Sequence, residues 1–100
     1  LNHRGESISS RPLSASEPVS GQMTLVAWNY TLTGPTPAGL QVRLCSLTRC
    51  AEIEGQRGTT QAFNGVSAQE PLRFIWEVPG GGRLIPALKV QRNEVLVNYR

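Results

Sequence analysis

Few residues in this 100-residue chain can do more than pack: two cysteines, one histidine, seven glutamates and ten cationic side chains, with no aspartate. Both cysteines fall in the stretch CSLTRC, Cys45 and Cys50. A structural zinc ion wants four Cys or His ligands, and the chain offers only these two plus the distant His3. A redox couple favours Cys-x-x-Cys at a helix N-terminus, where the dipole lowers a thiol pKa; four residues intervene here and no helix is predicted. Missing Asp argues against calcium and magnesium cages. For hydrolysis a nucleophile needs a positioned base, and His3 sits in a Ser-rich stretch expected to be exposed. Glu52 and Glu54 could make a glycosidase pair, but cross-strand ion pairing is their simpler role. PGGGR lacks the Gly-Lys-Ser/Thr ending and the following helix of a phosphate loop. The expectation is a non-enzyme with no cofactor and no metal.

Composition narrows the partners. Net charge is +3, but the nine arginines are spread from Arg4 to Arg100 rather than gathered on one face, which does not read as a nucleic-acid binder. The longest strongly apolar run, MTLVAW, is too short to cross a bilayer, so no membrane insertion is expected. The chain opens on Leu1 rather than Met, and an upstream segment is expected to precede it.

The elements that would position these residues are strands. Residues 1–22 are Ser-rich with two prolines and are expected to be extended, with a short edge strand near Glu6–Ser9. From Met23 to Arg100, β-branched and aromatic stretches alternate with GPTPAG, EGQRG, NGVSAQEP and PGGG. Seven or eight short antiparallel strands, each with one apolar face, predict an all-β sandwich over 23–100, with a small barrel as the alternative. Val26, Trp28, Tyr30 and Leu32 share one face, as do Leu40, Val42 and Leu44, and Leu72, Phe74, Trp76 and Val78. Three hairpins follow as expectations. Trp28, Tyr30 and Leu32 pair with Leu44, Val42 and Leu40; Leu72–Val78 turns through PGGG onto Leu84–Val90; Arg92 and Asn93 form a tight turn that brings Val90 to Val95.

The same register reasoning addresses CSLTRC. If Leu40, Val42 and Leu44 face inward with Ala51 and Ile53, then Arg43 lies across from Glu52 and Cys45 across from Cys50. Directly opposed Cβ atoms sit about 4.5–5.5 Å apart, closable to a disulfide by small adjustment. A Cys45–Cys50 bridge is therefore expected, with buried free thiols as the alternative, and a bridge implies an oxidising compartment. Trp28, Tyr30, Phe74 and Trp76 could stack on sugar, but their parity with aliphatic neighbours assigns them to the core. Ile75 and Leu96 have the opposite parity and fall beside Arg73, Glu77 and Lys89.

The stretches LNHRGES, MTLVAWNYTLTGPTPAGLQVRLCS, EPLRFIWEVPGGGRLIPALKVQ and NEVLVNYR closely resemble the FlhE flagellar proteins of enteric bacteria, over essentially the whole chain. The resemblance implies a periplasmic accessory protein, made with a signal peptide, that limits proton leakage through the flagellar type III export apparatus or helps order assembly as a plug or chaperone-like partner. It names no catalytic residue. It implies a protein partner, an export or basal-body component, and the outward groups that the fold does not need become the candidate contacts: Arg73, Ile75, Gly80, Gly81, Gly82 and Arg83. A periplasmic carbohydrate or cell-wall-binding module of the same architecture is the alternative.

Overall fold

The computed structural model describes residues 1–15 and 17–100. Among them are seven strands, β1 (Ser7–Ser9), β2 (Met23–Thr33), β3 (Gln41–Cys45), β4 (Cys50–Ile53), β5 (Arg57–Thr60), β6 (Arg73–Glu77) and β7 (Lys89–Tyr99). They form two antiparallel sheets, β1-β6-β3-β4 and β5-β2-β7, so the fold is the all-β sandwich that alternation predicts. β1 is the expected edge strand.

Inward faces meet as one core. Val26, Trp28, Tyr30 and Leu32 of β2 pack against Val42 and Leu44 of β3 and Phe74 and Trp76 of β6 within a single buried cluster. At its centre the Tyr30 ring meets Phe74 and Trp76 edge-on at 5.7 and 5.5 Å, while Phe74 and Trp76 stack at 5.3 Å. Such aromatic contacts add about 0.5–1.5 kcal/mol each beyond the area they bury.

The predicted face assignments hold, but three predicted pairings do not. β2 bonds to β5 and β7, not to β3, so Tyr30 lies opposite Asn93 and Thr33 opposite Lys89. β6 bonds to β1 and β3, not to the segment after PGGG. Arg92 and Asn93 lie inside β7, opposite Thr31 and Tyr30, and turn nothing. The first two have a common cause, while the third fails because Lys89–Tyr99 runs along β2 as one strand. Chains that share an apolar face can satisfy it side by side or across the core, and here GPTPAG and PGGG carry the chain from one sheet to the other. Among the strands only β3 and β4 form a hairpin; each other connection switches layers.

Residues 1–15 are tied to the first sheet. Gly5 N donates to Val78 O and Leu13 exchanges both backbone bonds with Leu72, while Leu1 O accepts from Leu88 N just before β7 of the other sheet. Leu1, Ile8 and Leu13 pack on the core edge. The 61–72 connection closes one end of the sandwich with Phe63 and Val66 fully inside, two core residues hidden from periodicity because they sit in a turn-rich stretch.

Candidate partner-binding surface

The β3–β4 hairpin follows the predicted register: Val42 opposite Ile53, Arg43 opposite Glu52, Leu44 opposite Ala51 and Cys45 opposite Cys50. The cysteines are bonded, with Cα atoms 4.0 Å apart. The hairpin tip is also held from outside. The Glu70 carboxylate accepts from Leu47 N and the Thr48 hydroxyl, both at 3.0 Å, and Arg49 Nη1 donates to the carbonyls of Ala62 and Asn64 at 3.0 and 3.1 Å. These two charged residues fasten CSLTRC to the 61–72 loop, a role that sequence spacing does not reveal because the partners are loop carbonyls and a residue 22 or 23 positions away.

β3, β4 and β6 present their odd or even alternates outward as one face. Across it run Ser9, Ile75, Arg43 and Glu52 in one row, with Arg73 beside the disulfide on one side and Ser7, Glu77 and Gln41 on the other. Arg43 faces Glu52 in register, yet its guanidinium reaches diagonally to Glu77, Nη2 to Oε2 3.7 Å. Ile75 is half-buried between these polar neighbours, while Arg73 is exposed. The cations can pair with an incoming carboxylate or stack on an aromatic ring, and Ile75 offers an apolar floor between them.

The other candidates lie elsewhere. Gly80–Arg83 follow the opposite end of β6 from Arg73 and pack on the N-terminal segment: Arg4 N donates to Gly82 O, and His3 bridges Arg83. Gly80 and Gly82 have φ of 109° and 91°, so this turn requires glycine instead of merely tolerating it. Extended chain advances about 3.3 Å per residue, which separates Arg73 from Gly80 by on the order of 20 Å. Arg73 and Ile75 thus form one patch and Gly80–Arg83 another. His3 is exposed, with Nδ1 3.6 Å from Glu6 Oε1.

At the end of the sandwich bearing the 34–40 and 54–56 connections, an open cleft of about 920 Å³ is lined by Tyr30, Glu52 and Glu54 among others. Burial raises the Tyr30 phenol above the ordinary tyrosine pKa. Trp28, Tyr30, Phe74 and Trp76 are all buried, so they form no exposed stacking row.

Comparison with known proteins adds the decisive observation. The sequence profile described as "Flagellar protein FlhE" matches residues 1–100. The chain belongs to the FlhE family of flagellar proteins. It is 76% identical over 100 residues to the flagellar protein FlhE of Escherichia coli (strain K12), covering all of this chain and 77% of that protein. It is 72% identical to that of Salmonella typhimurium, with the same coverage, and 38% identical to that of Yersinia enterocolitica, covering 97% of this chain and 71% of that one. A solved chain described as "Crystal Structure of FLHE" superposes with a TM-score of 0.98 at 72% identity, covering 100% of this chain and 87% of the other. The family is thus flagellar, and the Cys45–Cys50 bond is compatible with a location outside the cytoplasm.

Proposed function

We propose that this FlhE-family chain is a non-enzymatic periplasmic accessory protein of flagellar assembly. It docks on a protein of the flagellar type III export apparatus or basal body and limits proton leakage through it. The observation that carries the docking surface is the half-buried Ile75 standing on an outward sheet face between Arg73 and Arg43. A face needed only for solubility gains nothing from an isoleucine in that row, whereas interface cores combine arginine with apolar groups. Gly80–Arg83 form the second contact of this reading. Burial of Trp28, Tyr30, Phe74 and Trp76 weighs against glycan stacking as the function.

The test separates the two patches. Arg73→Glu with Ile75→Ser is compared with Arg83→Glu, each introduced in flagellated cells and checked for folding by circular dichroism. Loss of a desolvated contact costs a few kcal/mol, so a docking patch once reversed in charge should let the cytoplasm acidify as in cells lacking the protein. Normal cytoplasmic pH and normal flagella in both variants would refute docking through these residues.

A further inference from the structure

The cleft beside the 34–40 and 54–56 connections contains a polar group that the fold leaves unsatisfied. Tyr30 is only 4% exposed, with its ring held edge-on against Phe74 and Trp76. A buried tyrosine hydroxyl ordinarily finds a hydrogen-bond partner, yet this one bonds to no other described residue. Among the described residues, the Trp76 indole is the one buried side-chain group both sealed from solvent and without a partner. The Tyr30 hydroxyl therefore keeps an opening, and the cleft that Tyr30 lines is where it leads. Burial, with no hydrogen bond to oppose it, holds the phenol above the ordinary tyrosine pKa, so it meets the cleft at neutral pH as an uncharged hydroxyl.

Glu52 and Glu54 line the same cleft. They flank the inward Ile53, so both side chains stand on the outer side of the chain at its rim. Neither carboxylate has an ion-pair partner among the described residues, although the chain carries ten Lys and Arg against seven Glu. Arg43 lies directly opposite Glu52, yet its guanidinium reaches Glu77 instead. No Lys, Arg or His lines the cleft, while Pro37 and Leu40 give it an apolar wall. Two uncompensated carboxylates, an apolar wall and a buried neutral hydroxyl together suit a cation carried on an apolar stem.

We propose that this cleft binds an alkylammonium group, a primary ammonium at the end of a methylene stem, as carried by a lysine side chain or a linear diamine. The stem lies along Pro37 and Leu40, and the ammonium donates to the Tyr30 phenol oxygen and to the carboxylates of Glu52 and Glu54. An ammonium has three N–H donors and no acceptor, and these three side chains supply acceptors for all of them. A divalent metal ion is a poorer fit, since no group of three or more His, Cys, Asp or Glu side chains comes together among the described residues. The rim is open to water and the attraction is screened by salt, so binding is weak, with a dissociation constant on the order of millimolar. Glu52 adjoins the sheet face that carries Ile75 and Arg43, but neither of these nor Arg73 lines the cleft, so this site stands apart from the docking patch.

The test is a titration of the whole isotope-labelled chain, disulfide intact, followed through its backbone amide resonances at constant ionic strength. The two probes are Nα-acetyl-lysine methylamide and cadaverine. Saturable shifts are expected at Gly39, Gln41, Gly55 and Gln56, which line the cleft. The Nε-acetylated form of the first probe keeps the stem but loses the charge, and should bind about tenfold more weakly or worse. Glu52→Gln combined with Glu54→Gln should weaken the parent probe by about tenfold, and Tyr30→Phe alone by about threefold. The carboxylates are exposed and Tyr30→Phe removes one oxygen, so circular dichroism of these variants should be unchanged. The tighter of the two probes identifies the source, a lysine of a protein segment or a free polyamine. Absence of saturable shifts at these amides, equal shifts from the acetylated probe, or undiminished binding by Tyr30→Phe overturns the proposal. Because the readout is occupancy of this cleft alone, its failure leaves docking through Arg73 and Ile75 untouched.

Discussion

The two sheets solve the same burial problem by different means. The four-stranded sheet is made of strands of three to five residues. It is held by a covalent staple and by Arg49 and Glu70 at the hairpin tip. The three-stranded sheet has no staple, and it relies on two eleven-residue strands whose paired residues are far apart in sequence, from Thr33 with Lys89 to Met23 with Tyr99. Short strands need fixing at their ends, while long ones gain enough cross-strand contact to do without. What the long strands leave over is an unpaired edge.

Substitutions can break this contrast, beginning at the layer interface the sheets share. Trp76, on the stapled sheet, is 1% exposed and stacked on Phe74. Trp76→Ala should destabilise by about 3–5 kcal/mol, read as the shift in a urea midpoint. Trp76→Phe should cost much less, since the indole Nε1 is buried without a partner among the described residues and its removal relieves that penalty.

Removing the staple comes next. For a bridge between residues five apart, the loop-entropy estimate is about 2 kcal/mol, so the paired change Cys45→Ala and Cys50→Ala should lower stability by about that much and leave the fold intact. Unpaired thiols in unreduced peptides of the native chain would refute the bond itself. On the unstapled sheet the sensitive point is Gly58, opposite Trp28. A Cβ there would come 2.7 Å from the indole Cη2, and the ring is tethered through Nε1 to Gly55 O at 3.4 Å. Gly58→Ala should therefore cost about 1–2 kcal/mol by tilting the ring, with a visible change in tryptophan fluorescence.

The smallest effect is expected at the Tyr30 hydroxyl. Its folded-state pKa is raised by burial, so the unfolded chain gives up this proton first as pH rises. The stability it contributes is complete below the unfolded value of about 10 and drains away as pH climbs through the higher folded value. Tyr30→Phe should be nearly neutral at pH 7 and should flatten that alkaline decline; an unchanged decline would assign it to other groups.

Alternation along β2, β3 and β6 made the inward faces readable, because side-chain direction in a strand has period two whatever the neighbours do. It could not say which strands are neighbours. Val42 and Tyr30 do share a core, as their parity suggests, but from opposite layers, since nothing in GPTPAG distinguishes a connection that stays in a sheet from one that leaves it. The Cys45–Cys50 hairpin was legible because four intervening residues allow few other routes. Phe63 and Val66 were not, since a loop buries residues by plugging an end and leaves no period. Of the candidate surface, parity could place Arg73 and Ile75 outward, while the packing of Gly80–Arg83 on His3–Gly5 depends on a contact between distant segments.

The layer-switching path also sets an order in time. β3 and β4 can find each other as soon as both exist, and oxidation of Cys45 and Cys50 can fix that pair early. The sheet centred on β2 cannot close until Lys89–Tyr99 arrives, because β7 is its last strand. Contacts of such long sequence separation make folding slow compared with hairpin formation. A chain emerging N-terminus first would thus hold a stapled hairpin and an open, apolar β2 until its final residues are free. During that interval, Val26, Trp28 and Tyr30 are the surface most in need of protection from aggregation.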